Sequence, residues 1–600
     1  MLRQSGPGTA PAKTAGGARR HAAVLRAVLR LGDMGLQRQK CATCLVRGDA
    51  AVCHPCRTSA DAERQRMKPL AFRQANAWLH TWTGLLLGWL LYAIFLTGTL
   101  SFFQEEISYW MKPELHTAGP RDDSARLALA QLEKHAPDAA QWNVSLPGPR
   151  NAALQIQWFE PGERIGKGGG QRLTLDTSSG EPVQVRETRG GSFLYRFHFE
   201  LYAMPREVAR WIVGIATMLM LVAIVSGVIT HKKIFKDFFT FRPAKGQRSW
   251  LDAHNVTAVL ALPFHFMITY SGLLLLMFML MPWGVESAYQ GDRQAFFSEA
   301  GGRGGGGRGA PIDAPRQPVK PAQMTDLAPL LAHAQQRWPQ GIASLSISAP
   351  NTERAVVELR QRGGDSLLER GNGERLRFNG VTGAAMNAPK ATPTPAASAV
   401  YNVFTSLHLI RFAGPPLRWM FFLSGLLGTA MIATGLVLWV VKRLPERKKL
   451  SGTPFGHRLV EMLNVGCIAG LPVAIAAYFW ANRLLPAGLE QRADWEIRCF
   501  FIAWALCLLH PLLRSHKRAW LEQTSFAALL FGGLPFFALL QPSSSLITTV
   551  SQGHWLLAGM DLALLASAAL LALATWHIAR HQAMPSKLRL TRKVTQEAAA

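Results

Sequence analysis

Acidic residues are scarce in this sequence. Only 38 Asp and Glu stand against 65 Lys and Arg in 600 residues, leaving a formal charge of +27. Charged residues make up 17% of the chain, against about 25% in ordinary soluble domains, while hydrophobic residues reach 49%. Cysteine is sparse as well. Of the seven present, Cys467, Cys499 and Cys507 lie in or beside late apolar runs, so no disulfide framework is expected. No G-x-G-x-x-G follows a strand, and the Gly-rich run at 301–309 is laced with Arg; a nicotinamide or flavin domain is thereby excluded from this chain. No RNA- or DNA-reading motif accompanies the basic residues, which excludes nucleic acid as their partner. They cluster instead beside apolar runs, as juxtamembrane charge does. Near the N-terminus the apolar run after Arg73 is too long for a cleavable signal and ends in no small-residue cleavage site.

Apolar runs are what the chain has in abundance. Those long enough to cross a bilayer lie near 78–103, 209–231, 254–282, 416–441, 458–481, 497–514, 522–541 and 554–578. The fold class expected is an α-helical polytopic membrane protein of about eight spans. Lys and Arg crowd after the second ("HKKIFKDFFTFRPAKGQRSW"), the fourth ("KRLPERKK"), the sixth ("RSHKRAW") and the eighth ("KLRLTRK"). The positive-inside rule makes those segments cytoplasmic, with both termini inside. The expected organisation is a first span in 67–104, a polar domain at 105–208, and the second and third spans in 209–282 around a basic loop. A second polar domain follows at 283–415, then a fourth span at 416–442, four more within 443–581, and a cytoplasmic tail at 582–600.

The two polar domains lie outside on this reading, and each reads as α+β of αβββ order. The first has a helix ("ARLALAQLEKHAP") and strands "AQWNVSLPG", "ALQIQWFE" and "QRLTLDTSSGEPV". The second repeats the order with "DLAPLLAHAQQRWP", "IASLSISAP", "RAVVELRQR" and "ERLRFNGVTGAAM". Both close on a polar turn, at Asp176 and at Asn379. The Gly-rich stretch "GGRGGGGRGAPIDAPRQP" between them is an insert. The spans repeat too. Aligning His80 with His254 brings Gly98 onto Gly272, and "RWIVGIATMLMLVAIVSG" from Arg210 corresponds to "RWMFFLSGLLGTAMIATG" from Arg418. A unit of span, domain and span is therefore duplicated in one orientation, with a pseudo-two-fold axis along the membrane normal.

Residues 1–66 carry Cys41, Cys44, Cys53 and Cys56, a pair of C-x2-C units that on its face is a zinc or iron–sulfur pattern. The eight residues between the units are few for a zinc ribbon, and little apolar sequence surrounds them. Met67 opens "MKPLAFRQANAWLHTW", a natural-looking start before the first span, so 1–66 is expected to be a dispensable or mis-assigned extension.

Six histidines fall in or beside the repeated spans: His80, His198, His231, His254, His265 and His408. An ionisable group within a span is a functional-site hypothesis by default. His254 and His265 are eleven residues apart, which on a straight helix places both on one face about 16 Å apart along it. No carboxylate lies inside these four spans and no cysteine stands beside the histidines. Imidazole alone, on packed helices with small residues on the same face, suits haem better than zinc or calcium. Gly84, Gly98 and Gly272 are the expected clearance for a flat macrocycle. The partner of His254 is His80 or His231, His198 and His408 are candidates at the other side, and His265 could join either set. The late histidines His510, His516, His554, His577 and His581 read as interfacial.

The two "H…G…G" spans, each followed by a domain and an "RW…G" return span, resemble the PepSY-associated transmembrane family. "SGVITHKKIFKDFFTFRPAKGQRSWLDAHNVTAVLALPFHFMITYSG" is the most specific stretch, and the resemblance covers about 67–445. It implies a bacterial inner-membrane protein carrying two b-type haems, with PepSY-like periplasmic domains, akin to iron-uptake proteins and ferric-siderophore reductases. The family's positions match His80, His198, His254 and His408; His231 and His265 look like additions. Electrons would come from quinol or a cytoplasmic reductase and pass to a ferric chelate in the periplasm. Two other functions compete: a non-enzymatic protein whose PepSY-like domains bind or regulate, and a permease for an iron chelate or haem. A permease predicts broken helices and charged midplane groups, neither of which is expected in the first four spans.

Overall fold

The computed structural model describes residues 71–581, leaving aside 117–122, 164–168, 232–233, 238–239, 244, 293–294, 296–319, 365, 369, 371–372, 387–395, 448 and 541–544. The extension 1–66 with its four cysteines, the Gly-rich insert and the tail 582–600 lie outside the described residues.

The first repeat begins with the apolar helix α1 (Phe72–Ser101) and the short α2 (Gln104–Trp110). Its αβββ unit is α3 (Ser124–His135), β1 (Gln141–Ser145), β2 (Leu154–Phe159) and β3 (Gln171–Leu175). A connecting helix α4 (Gly191–Glu200) then leads into α5 (Arg206–Thr230). The second repeat has the same order. It runs through α6 (Gln247–Leu260), α7 (Leu262–Leu275), α8 (Ala328–Arg337), β4 (Ile342–Ser348), β5 (Val356–Gln361), β6 (Arg375–Asn379), α9 (Ala396–Leu409) and α10 (Pro415–Arg447). Beyond it stand α11 (Phe455–Leu484), α12 (Arg492–Leu513), α13 (His516–Ala538) and α14 (Trp555–Arg580).

The two αβββ units are joined through one sheet. Their strands make a single antiparallel sheet of order β3-β2-β1-β4-β5-β6, joined where β1 meets β4 in register Trp142↔Ile347 and Val144↔Leu345. Each three-stranded unit alone would leave an edge of unpaired backbone groups, and pairing the two edges satisfies both. The side chains favour it too: Trp142, Val144, Leu345 and Ile347 are at most 1% exposed and share one core with Leu132, Ile156, Trp338 and Leu359. The palindromic strand order carries the pseudo-two-fold of the repeat. So do the turns after β3 and β6. Asp176 Oδ1 accepts from the amides of Ser178 (2.7 Å) and Ser179 (3.0 Å), and Asn379 Oδ1 accepts from those of Val381 and Thr382 (both 2.9 Å). Each turn is an Asx turn.

Among the described residues six helices are long and apolar enough to cross a membrane, and a seventh is added if α6 and α7 count as one span. The sequence reading of eight includes 522–541. That run falls in α13, where Glu522, Gln523 and the pair Gly532-Gly533 dilute the apolar character. The third apolar run is not one straight helix, contrary to expectation. It breaks at Ala261, and α6 and α7 meet at 68°. Pro263 explains the break: it has no N–H to give the preceding turn, and its ring crowds the carbonyl of the residue four before it.

The last four helices are fastened to the first repeat by buried polar contacts. Trp89 Nε1 donates to Asn464 Oδ1 at 2.9 Å, and Tyr92 donates to the Ile468 carbonyl at 3.0 Å within a π-helical turn of α11. The loop before α4 docks on a fully buried Arg492–Glu496 pair, with Thr188 Oγ1 donating to Glu496 at 2.5 Å and Arg492 donating to the Glu187 carbonyl at 3.1 Å.

Candidate functional site

Four of the six histidines assemble as two couples. His80 on α1 and His254 on α6 have ring centroids 6.1 Å apart with planes at 62°. His198 on α4 and His408 on α9 are also 6.1 Å apart, at 34°. The members of each couple are equivalent positions of the repeat, so each couple straddles the pseudo-two-fold. The couples lie at different depths. His198 reaches the Ile94 carbonyl of α1, fourteen residues beyond His80, which is about 21 Å along a helix.

Every one of these imidazoles has its Nδ1 engaged. His80 Nδ1 lies 2.8 Å from the Ala223 carbonyl, His254 Nδ1 2.8 Å from that of Met431, and His198 Nδ1 2.7 Å from that of Ile94. A carbonyl can only accept, so Nδ1 carries the proton in all three. His408 Nδ1 meets Ser271 Oγ at 2.9 Å, and that hydroxyl already donates to the Met267 carbonyl at 2.6 Å. It must therefore accept from His408. In its neutral form each ring therefore has the proton on Nδ1 and the lone pair on Nε2, the form in which imidazole binds metal.

Glycines of neighbouring helices make room for these rings. A Cβ at Gly98 would stand 2.6 Å from His198, at Gly272 3.2 Å from His408, at Gly227 3.1 Å from His80, and at Gly435 3.1 Å from His254. Gly98 and Gly272, expected to clear a macrocycle, admit the imidazole of a facing helix. Gly84 has nothing within 4 Å. Gly227 and Gly435 are the residues the sequence reading did not assign. Their signal was the glycine that closes each "RW…G" span.

The remaining two histidines join neither couple. His231 caps α5, its backbone N–H donating to the Gly227 carbonyl at 3.2 Å. His265 sits just past the break on α7, so it does not share a face with His254. It is fully buried between Phe95 and Phe264, and neither ring nitrogen has a hydrogen-bond partner. Of the late histidines, His510 pairs with Glu522 at 2.7 Å and His516 accepts from Trp520.

Among the described residues, no three His, Cys, Asp or Glu side chains converge as a cage for a bare ion would require. Two-ligand sites suit an iron whose other positions a macrocycle fills. The spacing agrees: two metal–imidazole bonds of about 2 Å, plus about 1 Å from each nitrogen to its ring centre, span about 6 Å. A cavity of about 2220 Å³ opens beside the second couple, lined by His198, His408, Gly98, Gly272 and Phe264 and continuing to the underside of the sheet.

The sequence matches the PepSY-associated TM region over residues 77–442. The chain belongs to this family. The PepSY-associated region takes in both repeats and all six histidines, and α11 to α14 lie beyond it. No curated protein matches the chain.

Proposed function

We propose that this is a haem-carrying electron-transfer protein of the bacterial inner membrane that reduces ferric iron or a ferric siderophore on the periplasmic side during iron uptake. The observation that carries this reading is the two histidine couples, with Nδ1 protons engaged and Nε2 lone pairs unspent. His80 and His254 would hold one haem b and His198 and His408 another, supplying one-electron iron chemistry at two depths. The rest falls to this chain. The carbonyls of Ala223, Met431 and Ile94 and the Ser271 hydroxyl fix the plane and tautomer of each imidazole and raise its basicity. Two imidazoles per iron leave no open position, which suits electron transfer more than oxygen binding. With quinol as donor, each quinol oxidised releases two protons and two electrons, enough to reduce two ferric ions to ferrous.

The break at Ala261 favours a second reading, a permease for an iron chelate or haem, because broken spans line transport sites. That reading would need His265, the ionisable group at the break, to meet the solute. Optical spectra of the purified full chain, oxidised and dithionite-reduced, separate the two. A low-spin b-type spectrum with ferrous iron formed from an external chelate supports the reductase. Chelate uptake into liposomes by a protein that binds no haem supports the permease.

A further inference from the structure

We propose that the cavity beneath the sheet takes an anionic, carboxylate-bearing ferric chelate and that its arginines select such chelates over cationic ones. The inference rests on the reductase reading and narrows its substrate class. Charge is its first support. Six arginines line the cavity, Arg150, Arg210, Arg360, Arg362, Arg411 and Arg418, against Glu105 and Glu106. Both glutamates are already bound: Glu106 lies between Arg150 (2.7 Å) and Arg418 (3.3 Å), and Glu105 is 3.4 Å from Arg150. Arg210 is held by Glu200 at 2.6 Å. Arg362 is pinned but not neutralised. Its Nη2 donates to the carbonyls of Pro147 and Ile342, both at 2.6 Å. A positive excess in a partly desolvated cleft attracts an anion and penalises a cation.

The second support is how the backbone delivers Arg411. Ile410, β-branched and 3% exposed, adopts φ 52° immediately after α9. Such a residue in the left-handed region is strained and persists only where its surroundings over-determine it. The equivalent turn after α4 is made by Leu201 at φ 46°. The Ile410 turn carries the chain in three residues from His408 to Arg411, both of them in the cavity wall. An exposed arginine therefore stands three residues from His408, on the wall of the cavity that also holds the couple where an electron would leave.

Carboxylates could also reach these arginines from the propionates of a haem on His198 and His408, and the test separates the two sources. Equilibrium dialysis of the full chain in nanodiscs would use Ga(III) citrate, which cannot be reduced, beside a cationic Ga(III) trihydroxamate, with haem content measured in parallel. The proposal expects saturable citrate binding, at least tenfold weaker trihydroxamate binding, and about a tenfold loss of citrate affinity in Arg411→Gln, the scale of one charge-assisted hydrogen bond. Arg411→Lys should recover part of that loss. Equal affinity for both chelates would overturn it. So would an Arg411→Gln protein that loses haem yet binds citrate unchanged, because the arginine would then serve the propionates. Citrate binding does not depend on haem, so a haem-free protein that still discriminates would sink the reductase reading and leave the anion site standing.

Discussion

Replacing Gly98 by Ala should cost more than the same change at any of the three glycines in equivalent roles. The added Cβ would lie 2.6 Å from both Cε1 and Nδ1 of His198, about 0.9 Å inside an ordinary contact of about 3.5 Å. The ring cannot simply retreat, because Nδ1 is tied to the Ile94 carbonyl at 2.7 Å. Overpacking of this kind costs about 1–3 kcal/mol, and losing the hydrogen bond adds about 1 kcal/mol. Ala recovers about 1 kcal/mol of helix propensity over Gly, so the net destabilisation should be about 1–3 kcal/mol. At Gly272 the nearest His408 atom is 3.2 Å away and a shift of a few tenths of an ångström suffices; there the propensity gain should leave stability nearly unchanged. Thermal unfolding in detergent measures the difference, and haem content measures its consequence: Gly98→Ala should lose the haem of the His198–His408 couple and keep the other. Equal melting temperatures and full haem content in both variants would refute the steric reasoning.

Other outcomes follow from the same structure. A reporter active only in the cytoplasm, fused after residue 300, should be silent, because Lys and Arg concentrate in the loops that follow even-numbered spans. A chain beginning at Met67 should insert and bind as much haem as the full chain, whereas stoichiometric zinc that disappears on Cys→Ser change at Cys41 and Cys44 would overturn that expectation. Asp176→Ala should destabilise the sheet domain by about 1 kcal/mol. The Ser178 hydroxyl, followed by the Ser179 and Ser178 amides, holds the Asp176 carboxyl below its usual range. Its contribution is therefore complete above the unfolded pKa and is lost as pH falls through the lower folded one. Asp176→Asn should remove that dependence, since the matching turn already uses Asn379.

Much of this architecture was legible because its signals are local. The αβββ units follow alternation and turn chemistry, and β1 to β6 fall inside the segments read as strands. The repeat was legible in paired histidines, paired Arg-Trp and paired glycines. What joins the repeats was not, because β1 and β4 are about two hundred residues apart in the chain and nothing local says that their edges meet. Which imidazoles face each other depends on how α1 and α6 each pack on α10, α4 on α1 and α9 on α7. The break at Ala261 was available in Pro263 but was outweighed by an apolar run of spanning length; assuming a straight helix then put His265 on the wrong face. The glycine roles were hidden for a related reason. Their spacing was visible, but the ring each one admits comes from another helix.

The central claim is that His80 with His254, and His198 with His408, would each hold one haem. Haem stoichiometry and spectra of single and paired His→Ala variants test it most directly. The account predicts that His80→Ala, His254→Ala and the double variant all lose the same one haem equivalent, that His198→Ala, His408→Ala and their double lose the other, and that His231→Ala and His265→Ala keep both. Full haem content in all four couple variants, or no haem in the wild-type protein under any expression condition, would contradict it.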